Sequence, residues 1–147
     1  MAEHGDLGIF AEAYDTNVKL TSLLENKANF GVRLKAAYDT GDKKALAPFI
    51  DECDVIIEKM QAFREAHRKA WMLHNKPFGW EVCDMRYGAA LSRMETAKVR
   101  ISAYVNGELD SIDELGEERL YRMGGEGFDG NFVWLQYSSY TTMNPMG

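Results

Sequence analysis

The sequence is poor in the residues that mark many functions. Its 147 residues hold two cysteines, Cys53 and Cys83. They form no CxxC pair and lie among apolar neighbours, so they read as small buried hydrophobes, with nothing that requires an oxidising compartment. Three histidines are present, His4, His67 and His74. A zinc centre takes three or four suitably spaced ligands, and the chain has no HxxxH, HExxH or Cys/His cluster. The Glu-x-x-His motif of di-iron bundles is missing too. No metal and no cofactor is therefore expected. An excess of positive charge is also lacking. The net charge is −6 and the pI near 5.1. Arg64, Arg68 and Lys69 are interleaved with acids, which fits a solvated helix face and excludes general nucleic-acid binding. No apolar run approaches the roughly 18 residues of a membrane span. Residues 1–10 lack the basic and apolar regions of a secretory signal, so a cytoplasmic location is expected.

What is there favours a folded single domain. Hydrophobic residues make up 46% and aromatics 12%, enough for a core at this length. Only Pro48, Pro77 and Pro145 interrupt the chain as prolines. Phe10, Tyr14, Val18 and Leu24 recur at helical steps and predict a first helix, opened by Asp6 and weakening around residues 26–31. A second stretch carries Val32, Leu34 and Tyr38, and Gly41 suits the turn after it. Leu46, Phe49, Ile50, Cys53, Ile57, Met60, Phe63, His67 and Trp71 predict a long helix, with Pro48 near its start where it costs least. Lys76–Gly79 fits a type I turn. A further helix is expected from Cys83 to Asn106, ended by Gly107. Ser111–Glu114 spells a capping box for a short helix. Glycines 124, 125, 127 and 130 then make a loose connector, and Phe128, Phe132, Trp134, Tyr137 and Tyr140 an aromatic run. The expected fold is all-α: an antiparallel helical bundle over about residues 7–120, a connector at 124–130 and an extended aromatic C-terminal tail at 131–147.

Candidate chemistry is sparse. Asp51-Glu52 and Asp113-Glu114 are adjacent acids, but neighbours on a helix point about 100° apart and do not converge on one bond. Gly124–Gly127 lacks the strand, lysine and helix of a phosphate loop. The densest segment runs from Trp71 to Arg86: Trp71, Asn75, Lys76, Pro77, Phe78, Gly79, Trp80, Glu81, Asp84 and Arg86 surround one Pro-Gly turn. Such a cluster is either a docking surface or a structured corner with Trp71 and Trp80 closing the bundle end. Trp134 joins the candidates because an exposed apolar strand must pack on something. Two other readings stand beside docking. Trp71, Trp80 and Trp134 are candidates for stacking on sugars, and a small all-α enzyme resembling chorismate mutases would use inward-facing cations, whereas Arg64, Arg68, Arg86 and Arg93 fall off the apolar stripes.

The run Asn75-Lys76-Pro77-Phe78-Gly79-Trp80-Glu81-Val82, followed by Asp84-Met85-Arg86-Tyr87-Gly88, Arg93 and Glu95, resembles the C-terminal helical domain of a bacterial subgroup of family 20 β-N-acetylhexosaminidases. The stretches from Tyr38 to Leu46, Arg64 to Trp71 and Ala103 to Asp110 are similar as well. The resemblance spans about Phe10 to Leu120. It implies a non-catalytic accessory domain whose partner is a (β/α)₈ catalytic barrel ahead of it in the parent chain, or a homodimer mate. The parent would release terminal N-acetylhexosamines, using the substrate's acetamido group as nucleophile and an Asp-Glu pair in its barrel. No barrel fits in 147 residues, so those roles do not transfer to the acidic pairs here.

Overall fold

The computed structural model describes residues 10–117. The expected tail, the Gly-rich connector, Asp6 and His4 lie outside these residues, as does Trp134.

Among the described residues the elements follow in order: α1 Ala11–Lys27, α2 Phe30–Asp39, the 3-10 turn Lys43–Leu46, α3 Ala47–His74, α4 Trp80–Val105 and α5 Asp113–Gly116. The described residues contain no strand, so they are all-α. The expected weakness near residue 28 is the break between α1 and α2. Gly41, at φ +71°, closes the next turn. Asp42 caps the 3-10 turn through its carboxylate, which accepts from the Lys44 amide at 2.9 Å. Pro48 falls in the first turn of α3, where its missing N–H has no helical partner to lose.

α3 is the central element. α1 packs along one side of it and α4 along the other. Both run antiparallel to it. Lys69 and Glu12 pair at 3.6 Å near one end of α1, while Lys59 donates to the Ser22 carbonyl at 2.9 Å and to Asn26 Oδ1 at 2.8 Å near the other. On the opposite flank Lys98 meets Asp54 at 2.6 Å, and Arg64 meets Asp84 at 2.6 Å. α2, the 3-10 turn and α5 close the end where α3 begins. There Phe30 sits edge-on to Phe49 at 5.6 Å, Tyr38 packs on Tyr104 at 5.3 Å, and the Tyr38 hydroxyl accepts from the Ile112 amide at 3.1 Å.

The sequence reading is corrected at several places. The buried row of α3 is Phe49, Cys53, Ile56 and Met60; Ile56 is fully buried and Ile57 only partly so. In α1, Leu23 is buried, whereas Tyr14, Val18 and Leu24 are exposed, as is Phe10 just before the helix. The turn spans Pro77–Trp80 instead of Lys76–Gly79, since the Trp80 amide donates to the Pro77 carbonyl at 3.2 Å. Gly79 has φ +96° and ψ −19°, values that a type II turn requires of its third residue. α4 therefore begins at Trp80, three residues before the expected Cys83. Its end is a Schellman motif: the Gly107 amide donates to the Tyr104 carbonyl and the Glu108 amide to that of Ala103. The capping box does not form. Ile112 precedes α5, Ser111 bonds Asp113, and Glu114 turns to Arg100 at 2.8 Å.

Candidate functional site

The residues singled out from sequence gather at the corner where α3 passes into α4. α3 projects Phe63, His67 and Trp71 from one face, four residues apart, and α4 answers with Trp80 and Tyr87, seven apart. The rings interlock. His67 lies 5.1 Å from Trp80 and edge-on to it, Phe63 is 5.6 Å from Tyr87, and Trp71 is 6.0 Å from Trp80. His67 Nδ1 and the Tyr87 hydroxyl are hydrogen-bonded at 2.9 Å. Burial lowers the His67 pKa. Burial, reinforced by Cys83 and opposed by Arg64, pushes the Tyr87 phenol up to about 12. Both groups are therefore held neutral near pH 7. The Trp80 indole N–H is buried without a hydrogen-bond partner, a desolvation cost that the surrounding ring packing has to outweigh.

The turn is tied to this cluster. Trp71 Nε1 donates to the Lys76 carbonyl at 3.0 Å, and the Gly79 amide donates to the Glu81 carboxylate at 2.8 Å. A Cβ at Gly79 would lie 3.5 Å from the Trp71 ring. Beside it, Arg64 bridges Asp84 at 2.6 Å and Glu65 at 2.9 Å, on the wall of a surface groove of about 450 Å³ that Gln61, Gly88 and Leu91 complete.

The candidates divide in two. Trp80 is only 4% exposed and belongs to the domain's own interior; Trp71 is half-buried beside it. Asn75, Lys76, Pro77, Phe78, Glu81 and Arg86 face outward, and Phe78 is 84% exposed. Asp84 is half-buried in its pair with Arg64. Sequence reading did not join Phe63, His67 and Tyr87 to this corner. Their spacing against Trp71 and Trp80 was the available signal.

The other constellations are engaged structurally. Glu52 accepts from Arg33 at 2.5 Å and from Asn26 at 3.1 Å, and the Arg33 hydrogen bond holds its carboxyl below the usual range. Asp113 and Glu114 are taken by Ser111 and Arg100. Cys53 is fully buried and its thiol is pushed up to about 11 by burial; Cys83 is half-buried. Arg64 and Arg68 pair with carboxylates. Among the described residues no group of three His, Cys, Asp or Glu side chains is placed to hold a metal, and no helix is long and apolar enough to cross a membrane. An apolar hollow of about 100 Å³ lies between Leu34, Ile101, Ile112 and Leu115, well below the roughly 300–1,000 Å³ of ligand pockets.

Comparison with curated proteins finds no match. The family model described as the Glycoside Hydrolase 20C C-terminal domain matches residues 4–134. That span takes in every described helix and the whole α3–α4 corner, and the chain belongs to this family of C-terminal domains of subgroup C of the family 20 glycoside hydrolases.

Proposed function

We propose that this chain is a non-catalytic accessory domain of a β-N-acetylhexosaminidase, and that it packs on the enzyme's catalytic barrel. The observation that carries the reading is the family match over residues 4–134, which makes the chain a C-terminal domain of a glycoside hydrolase. The chemistry of the described residues supports it. The acidic pairs are separated along helices, and Glu52 and Glu114 are committed to arginines. The outward side of the corner, with Phe78 at its tip, offers apolar surface of the kind that interdomain contacts bury.

The test joins the chain to its catalytic domain and follows release of p-nitrophenol from the N-acetyl-β-glucosaminide. The isolated chain is expected to release none. Deleting it from the joined protein is expected to lower the melting temperature of the catalytic domain. Hydrolysis by the isolated chain, or a melting temperature unmoved by its removal, would sink the proposal.

A further inference from the structure

Asn106-Gly107 is the single Asn-Gly step in the sequence, and it stands where α4 ends. A glycine after asparagine matters chemically. With no Cβ beside it, its amide nitrogen is the least shielded nucleophile that a chain offers to the neighbouring side-chain carbonyl. The other asparagines are followed by Val18, Lys27, Phe30, Lys76, Phe132 and Pro145, whose side chains crowd that approach. Asn106, Gly107 and Glu108 are exposed, and a Cβ at Gly107 would meet nothing within 4 Å, so water reaches the pair. The helix end opposes the reaction that this step invites. Ring closure needs the Gly107 nitrogen to swing over Asn106 Cγ and to give up its proton. Asn106 instead holds helical angles, φ −75° and ψ −7°. The Gly107 N–H is occupied by the Tyr104 carbonyl at 3.1 Å, and the Ala103 carbonyl takes the Glu108 and Leu109 amides at 2.8 and 3.2 Å. The Asn106 side chain is held less firmly, by a 3.5 Å contact from Nδ2 to Ser102 Oγ.

We infer that Asn106 is a site of spontaneous modification that the α4 terminus keeps closed: deamidation through a succinimide, released when the last turn opens. In the open turn the Gly107 nitrogen bonds to Asn106 Cγ, the Cγ–Nδ2 bond breaks, and ammonia leaves carrying the amide proton. Water then opens the ring at either carbonyl and gives aspartate or isoaspartate. Either product loads the helix end, because a new negative charge lies at the negative pole of α4. Isoaspartate also lengthens the backbone by a carbon atom, which moves Glu108 and Leu109 off the Ala103 carbonyl. The Leu109 carbonyl accepts from Lys43 at 3.5 Å, and the Lys43 ammonium lies 4.5 Å from the centre of the Tyr104 ring. The modification therefore acts on the closed end of the bundle, where Tyr104 meets Tyr38.

Peptide mapping by mass spectrometry tests this on the chain kept at mildly alkaline pH, in buffer and in guanidinium chloride. In denaturant, Asn106 is expected to deamidate ahead of every other asparagine. In buffer its rate is expected to fall about tenfold or more, since the Gly107 and Glu108 hydrogen bonds must be given up before the ring closes. Equal rates in the two conditions would overturn the gating by the helix end. No deamidation of Asn106 in denaturant would remove the site. The isoaspartyl form, separated by chromatography, is expected to melt below both the parent chain and Asn106→Asp. A melting temperature equal to that of Asn106→Asp would assign the effect to charge and overturn the displacement of the backbone.

Discussion

Single side chains here differ sharply in what they hold. Ile56 is fully buried between α3 and its neighbours, while Ile57 is only partly covered. Ile56→Ala is expected to destabilise the domain by about 2–5 kcal/mol through lost burial and a residual cavity. Ile57→Ala should cost about half of that or less, in proportion to the smaller area removed from water. Urea denaturation of the two variants checks the order. His67 makes a second expectation. Its folded-state pKa lies below the ordinary 6.5 because burial disfavours the imidazolium. The unfolded chain then binds the extra proton first, so this contribution to stability is complete above pH 6.5 and is lost as pH falls through that value toward the folded pKa. His67→Gln should flatten the fall in urea midpoint between pH 7 and pH 5, measured at constant ionic strength.

At the scale of elements, glycine positions carry the turns. Gly79 and Gly107 both have positive φ, +96° and +79°. An alanine at Gly107 meets open space, so its cost is the backbone penalty alone, about 1–2 kcal/mol. At Gly79 the same penalty adds to the need to fit a methyl against the Trp71 ring, and Gly79→Ala is expected to lose more; thermal melts of the pair compare them. Much of this organisation was legible in the sequence. The helices, the break near residue 28, the corner and the stop at Gly107 follow from apolar period and turn residues. Facing was less legible. Leu23-Leu24 and Ile56-Ile57 are adjacent apolar pairs about 100° apart, and a three-to-four periodicity accepts either member. In α1 the period marked the outer edge, because the inner one is built from Thr16, Asn26 and ion pairs to α3. The corner's composition was visible, but that Trp80 points inward followed only from α4 starting three residues early.

For the molecule as a whole, the family match and the fold agree on a helical C-terminal domain of a family 20 glycoside hydrolase. The same architecture sets how it responds to load. α1 lies antiparallel on α3, its first turn beside the last turns of α3 and its far end held by Lys59. A pull transmitted through the backbone at Phe10 acts at one end of that seam. It meets the Glu12–Lys69 pair first and reaches the Lys59 anchor only after the turns between have parted, so α1 peels in sequence instead of shearing all at once. Because Lys69 stands between His67 and Trp71 on α3, the first contact to yield is the one at the aromatic end of the bundle.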